Sequence, residues 1–360
     1  MLFSIYPTDA AETRRTVIDQ VLATAPSSSP APGASGDSGD ERMLFTSLHM
    51  VDTGELAAFG EVLRAAHDDD GVTFCADVSP VALEHVVAGD EGWGWLARRG
   101  ITTLRLDYGF DADEIGRVAE ASGSRIAVNA STVDVAFLDE LAGLPVVGWH
   151  NFYPRPETGL TASFLVAQSR LFLDRGMPVL AFIPGERELR APLHLGLPTL
   201  EEQRHHNAWR SYLQLRRLVP EAVVVCAEGA VADDHAAWIA EFEATGTVTL
   251  PVVGLDAAAS VLLERPWRLR VEEAAASFRL DETRGGIRPS RIRNADARER
   301  GSLQVDLDAY GRYRGEVHLM RADRPLDAGQ ARIGEVAAPY RGIVDDLRPG
   351  QTVRLIPLPA

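Results

Sequence analysis

The run His150-Asn151-Phe152-Tyr153-Pro154-Arg155-Pro156-Glu157-Thr158-Gly159-Leu160 gathers an imidazole, an amide, a phenol, a guanidinium and a carboxylate into one short stretch. Its two prolines fix their own φ and bias the residues before them toward extended backbone, so a rigid loop is expected to carry these groups. The run follows Leu144-Pro145-Val146-Val147-Gly148-Trp149, which reads as a buried strand, and precedes a helical pattern over 161–175. A second set lies in Arg105-Leu106-Asp107-Tyr108-Gly109-Phe110. Strand alternation puts Arg105 and Asp107 on one face and Leu104 and Leu106 on the other. If the leucines face outward, Asp107 reaches an inner rim. The competing reading is an Arg105–Asp107 ion pair that only braces the strand end. Asp77 has the same geometry at the end of an earlier strand.

Two carboxylates facing one cleft are the minimal equipment for glycosidic cleavage. One protonates the leaving oxygen while the other stabilises or attacks the anomeric centre. Asp107 and Glu157 are the candidate pair. A separation of about 5–5.5 Å would favour retention and about 6.5–9.5 Å inversion. For Glu157 the alternative is a cap or salt bridge for the following helix. His49, Asn129, His150 and Asn151 fall at strand ends and are candidates to hold sugar hydroxyls or an N-acetyl group. Tyr6, Tyr108, Phe152 and Tyr153 offer ring faces. Arg155, Arg187 and Arg190 are the candidate cations for an anionic substrate group. Asp77 and Arg105 complete the expected substrate-binding set. No H-E-x-x-H, nucleophile elbow or C-x-x-C is present. A metal set of Asp77, Asp107, His150 and Glu228 is conceivable, but nothing in the spacing requires it, and no metal or cofactor is expected.

These residues need a frame, and the chain supplies one. Apolar runs at 2–6, 43–48, 72–77, 103–106, 125–129, 146–150, 178–183 and 222–227 alternate with helical patterns, which is the signature of repeated βα units. Eight units in about 245 residues predict a (β/α)8 TIM barrel over 1–245, with the active site at the C-terminal ends of its strands. An open doubly wound sheet is second, weakened because no G-x-G-x-x-G opens a helix after any strand. The Pro/Ser/Gly/Ala-rich tract at 25–41 reads as a flexible insertion between the first helix and the second strand. From 248 to 360 short alternating segments predict a smaller, mostly β domain, with a hairpin turn at Asp308-Ala309-Tyr310-Gly311. Its arginines Arg284, Arg288, Arg291 and Arg293 read as a solvated loop or a positively charged cap.

Composition narrows the chemistry further. The net charge of −16 argues against nucleic acid and anionic membranes as partners, so any bound anion must be held by local arginines. All 36 basic residues are arginine, which excludes a Schiff-base lysine, a pyridoxal phosphate anchor and a P-loop lysine. Cys75 and Cys226 each sit in an apolar run and read as buried free thiols. The N-terminus has no basic, apolar leader pattern and no stretch is long enough to span a bilayer, so a cytoplasmic location is expected.

Several of these segments together resemble the bacterial 6-phospho-N-acetylmuramidase family. They are Ser4-Ile5-Tyr6-Pro7, Phe45-Thr46-Ser47-Leu48-His49, Asp77-Val78-Ser79-Pro80, Leu104 to Phe110, the long central run from His150 to Leu160, and Gly196-Leu197-Pro198-Thr199-Leu200-Glu201. The resemblance implies a TIM barrel followed by a cyclophilin-like β domain. It also implies hydrolysis of N-acetylmuramic acid 6-phosphate-β-1,4-N-acetylglucosamine in peptidoglycan recycling, and it favours Asp107 and Glu157 as the catalytic pair. Two departures touch loops proposed for phosphate: Arg190-Ala191-Pro192 replaces Arg-Gly-Pro, and Ala227-Glu228 replaces Gly-Asp. Two other functions compete, a metal-dependent sugar-phosphate isomerase or epimerase and a non-catalytic sugar-phosphate binding protein.

Overall fold

A computed structural model describes residues 1–24, 42–49, 53–289 and 297–358. The tract at 25–41, Arg291 and Arg293 lie outside these residues. The chain divides into two compact units, Met1–Ala236 and Ala237–Ala360.

The first unit is a closed parallel barrel. Strands β1 (Phe3–Ser4), β2 (Met43–Ser47), β3 (Thr73–Val78), β4 (Ile101–Leu106), β5 (Arg125–Asn129), β6 (Val146–Trp149), β7 (Val179–Ile183) and β8 (Val223–Cys226) pair in sequence order. A parallel bridge from Leu2 to Val225 joins the last strand to the first, with Leu2 N–H donating to Val224 at 2.9 Å. The expected eight strands are therefore all present, because each apolar run is buried on both faces as a parallel sheet requires. Helices cover the outside, among them α1 (Ala11–Thr24), α2 (Ala112–Ser122) and α3 (Ala162–Leu173). Asp111 caps α2 in a reciprocal capping box with Glu114.

The barrel interior is filled from below by Leu2, Met43, Val147, Leu180 and Val225. Above them Phe45, Trp149, Phe152 and Phe182 meet edge-on or tilted, with centroids 5.0 Å apart for Phe45–Phe182 and 5.1 Å for Phe152–Phe182. This aromatic layer is the floor on which the polar mouth rests. Cys75 and Cys226 are free and buried, and burial pushes the Cys226 thiol well above its usual range. No helix among the described residues is long and apolar enough to cross a membrane.

The second unit is mostly β. A seven-stranded mixed sheet includes Val248–Val253, Ser302–Asp306, Val317–Met320, Gln330–Val336 and Thr352–Pro357. The strands at 302–306 and 317–320 pair antiparallel as expected. Their connection differs from the expected tight turn: Asp308–Tyr313 forms a 3-10 segment, kinked at Gly311, so more than one turn of chain joins the strands. Arg284 pairs with the buried Glu316 at 3.2 Å, and its guanidinium lies over the Tyr313 ring.

Candidate active site

At the C-terminal ends of β3, β4, β5 and β6 the inward positions are polar. Arg105 is fully buried inside the barrel. Its Nη1 donates to Asp77 Oδ1 at 2.6 Å and stands 3.1 Å from Asp107 Oδ1, while Nη2 reaches Asn151 Oδ1. Asn129 Nδ2 donates to Asp107 Oδ1 at 3.0 Å, and Asn129 Oδ1 accepts the Ser131 N–H. His49 Nε2 stands 3.2 Å from Asp77 Oδ2, and its ring stacks on the exposed Tyr108 at 5.7 Å. Strand alternation brings Arg105 and Asp107 to the same face, as expected, because Leu104 and Leu106 pack outward.

Charges in this cluster are fixed by contact. Burial pushes the Asp77 carboxyl up, but Arg105 and His49 outweigh it and hold the group below the usual aspartate range. Burial likewise works against a proton on His49, but the Asp77 carboxylate beside it raises the imidazole above its ordinary value. Asp107 Oδ1 faces two N–H donors, one from Arg105 and one from Asn129. Beside Asp107 and Asn129 opens a pocket of ≈ 220 Å³ lined by Leu106, Tyr108, Phe110 and Phe137.

The run after β6 splits its candidates. Asn151 joins the Arg105 cluster, and burial raises the half-buried Tyr153 phenol above its usual range. His150 does not join them. Trp149 fills the barrel interior, so His150 packs on the opposite face, its two ring nitrogens 3.1 Å from the hydroxyls of Ser131 and Ser169. Burial and then Arg105 hold its pKa down to about 3, so it is a neutral packing residue rather than a substrate donor. Arg155 is exposed. Glu157 is also exposed and has φ +69°, a left-handed conformation that a side chain with Cβ seldom adopts.

The other side of the mouth is built from β1, β8 and the loop after β7. The Tyr6 hydroxyl donates to the Ala227 carbonyl at 2.6 Å, and burial pushes the phenol far above its usual range. The Arg190 guanidinium lies 3.8 Å from the centre of the Tyr6 ring. Glu228 is buried; its Oε2 accepts the Arg190 N–H at 2.6 Å, Oε1 has no partner among the described residues, and burial raises the carboxyl. Asp9 Oδ2 accepts the Tyr6 N–H at 2.7 Å, and burial raises this carboxyl to about 6. Arg187 points elsewhere and pairs with the exposed Asp233.

Ligand atoms of His49, Asp77 and Asp107 lie within 4.8 Å of one another, a set able to approach a cation. Of the four residues considered from sequence, Asp77 and Asp107 belong to this set, whereas His150 faces the helices and Glu228 sits on the β8 side. Arg105 already places a positive charge between Asp77 and Asp107. Sequence reasoning missed Asp9, Ser131 and Arg204. Only Arg204 left a usable signal, its i,i+3 spacing from Glu201 in the quoted segment.

A closed parallel barrel whose charged residues crowd the C-terminal strand ends, followed by a mostly β unit, defines an α/β barrel protein with a second module. Solved structures similar to this chain include a conserved Enterococcus faecalis protein of unknown function, 23% identical with TM-score 0.79 over 99% of this chain and 96% of that one. Another is an uncharacterized B. cereus protein, 22% identical with TM-score 0.74 over 99% and 98%. Both likenesses concern the fold. No curated protein matches the chain. The N-terminal domain of 6-phospho-N-acetylmuramidase matches residues 37–237 and the C-terminal domain matches 253–356. The chain belongs to the 6-phospho-N-acetylmuramidase family.

Proposed function

We propose that the protein is a cytoplasmic glycosidase that cleaves 6-phospho-N-acetylmuramyl-β-1,4-N-acetylglucosamine to the 6-phosphosugar and N-acetylglucosamine during recycling of cell-wall fragments. The observation that carries this reading is Asp107, a carboxylate at the barrel mouth held between Arg105 and Asn129 within a chain of this family. In the proposed reaction Asp107 stays ionised and serves the anomeric centre, either stabilising its positive charge or attacking it. Glu157, on the loop after β6, protonates the departing oxygen. Tyr108 gives a sugar ring an exposed aromatic face beside the pocket at Asp107. His49, Asn129, Asn151 and Tyr153 surround the same side.

For the phosphate, Arg190 is favoured over Arg155 and Arg187 because its guanidinium is held over Tyr6 on the inner side of the mouth. A guanidinium in contact with phosphate makes a charge-assisted, often bidentate bond, whereas the net charge of −16 is screened beyond about 10 Å at ordinary salt. The test is incubation with the phosphorylated and unphosphorylated disaccharides, with products identified by mass. Strong preference for the phosphorylated substrate is expected, and Arg190→Ala should reduce that preference selectively. Equal kcat/KM for the two substrates overturns the phosphate assignment. Binding without turnover favours the non-catalytic reading, and turnover abolished by a chelator favours the metal-dependent one.

A further inference from the structure

Residues 151–160 are fastened to a second segment, 196–204, and the fastening converges on one guanidinium. The Arg204 side chain is almost wholly buried, with 3% exposure. Its Nε donates to Glu201 Oε1 at 2.6 Å and Nη2 to Glu201 Oε2 at 2.6 Å. Nη1 donates to the carbonyls of Tyr153 at 2.9 Å and Gly196 at 3.0 Å, and Nη2 also reaches the Arg155 carbonyl at 3.3 Å. An arginine has five N–H donors, and these five acceptors use them all.

Glu201 carries the fastening onward. Its Oε2 accepts the Gly159 N–H at 2.8 Å. Arg204 holds the Glu201 carboxyl down to about 2, so it is ionised throughout the neutral range. The two segments also pair through backbone bonds: Leu160 N–H to Thr199, Glu201 N–H to Leu160 and Tyr153 N–H to Pro198. Gly159 is required for the approach, since a Cβ there would come within 2.7 Å of the Glu201 backbone nitrogen and of Oε2.

The residue at the centre of this arrangement is Glu157, whose φ of +69° is a strained conformation for a side chain with Cβ. Such strain persists only where the surroundings over-determine it. We propose that Arg204 and Glu201 are positioning residues: the ionised pair clamps the backbone on both sides of Glu157, fixes its left-handed conformation and thereby aims its carboxyl. This rests on the reading of Glu157 as the acid, since neither Arg204 nor Glu201 is assigned any contact with substrate. A lysine at 204 offers three donors from one nitrogen and cannot span the five acceptors.

The full-length protein tests this with Glu201→Gln, Gly159→Ala and Arg204→Lys, each alone and with Glu157→Gln. Amide exchange at residues 159 and 160 is expected to accelerate at least tenfold in the Glu201 and Gly159 variants. Their kcat is expected to fall about tenfold or more with KM changed less than about threefold. In the Glu157→Gln background the same changes should cost almost nothing further, because a residue acting through another gives a non-additive cycle. Additive losses, or unchanged exchange at 159 and 160, overturn the proposal. If Glu157→Gln alone retains full turnover, the catalytic reading of Glu157 fails, and the clamp then stands or falls on the exchange rates. Should Arg204→Lys fail to fold, Gly159→Ala still decides, since it wedges the pair from the loop without removing a charge.

Discussion

On the β3 to β6 side of the barrel mouth Asp77 and Asp107 each touch a charged or amide side chain, whereas on the β8 and β1 side Asp9 and Glu228 meet backbone N–H groups. Asp77 has Arg105 at 2.6 Å and His49 at 3.2 Å, and its carboxyl lies below the usual range. Asp9 and Glu228 accept the backbone N–H of Tyr6 and Arg190 at 2.7 and 2.6 Å, and both carboxyls are raised by burial. At Asp9 and Glu228 the backbone N–H does not offset desolvation, while at Asp77 the guanidinium of Arg105 together with His49 does. On the second side the Arg190 guanidinium is turned to the Tyr6 ring, and Arg14 donates to the Asp9 backbone carbonyl at 2.7 Å. Opposite tuning of neighbouring carboxyls is how one cleft keeps one group ionised and another protonated near neutral pH.

Removing the cation from the first side is the severest way to break the contrast. Arg105→Met leaves Asp77 buried without its strongest partner, and breaking one half of a buried pair costs about 3–5 kcal/mol. Denaturant unfolding at pH 7 measures it. A carboxyl with a lowered folded pKa contributes stability above the ordinary aspartate range and loses it as pH falls through the folded value. The deficit should accordingly narrow between pH 7 and about pH 4, where Asp77 in the variant takes up a proton. A deficit under about 1 kcal/mol would show that water, not Arg105, solvates this cluster.

The next effect is on turnover. Asp107→Asn and Glu157→Gln are each expected to lower kcat by about 10²-fold or more while the protein stays folded, as typical of general acid–base and charge-stabilising groups. Steady-state kinetics on the phosphorylated disaccharide, with circular dichroism as the folding control, separates the two. Near-native turnover in either variant removes that residue from the reaction. If only Asp107 matters, the acid must be sought on the β8–β1 side, where the carboxyls are raised.

The barrel was legible because a parallel strand buries both faces, and eight apolar runs therefore stand out against amphipathic helices. Arg105 and Asp107 were legible for the same local reason, since alternation relates residues two apart. His150 shows the limit of reading a site by loop position: once Trp149 fills the interior, the next residue must face the helices. The pairing of Arg204 with Glu201 was legible from their i,i+3 spacing, but its reach to the central run was hidden because the acceptors at Tyr153 and Arg155 lie 51 and 49 positions away. The raised carboxyl of Asp9 was hidden too, because burial follows from how the first loop packs beneath its neighbours. Sequence spacing reports faces; it does not report desolvation.

The mildest change sharpens the contrast from the second side. Asn at position 9 keeps an acceptor for the Tyr6 N–H, so Asp9→Asn removes a charge and little else. The folded pKa of Asp9 is raised to about 6 from an ordinary 3.8, so the fold favours the protonated form. That contribution is complete below the ordinary value and lost as pH rises through about 6. At pH 8 the native protein holds a carboxylate that its surroundings disfavour. Asp9→Asn is expected to raise Tm there by about 2–4 °C, corresponding to about 1 kcal/mol once the partial exposure of Asp9 is allowed for. The gain should shrink steadily as the pH of the melt is lowered from 8 to 4. A loss of Tm at pH 8 would instead mean that Arg190 or Arg14 holds Asp9 as firmly as Arg105 holds Asp77, and the two sides of the mouth would then be tuned alike.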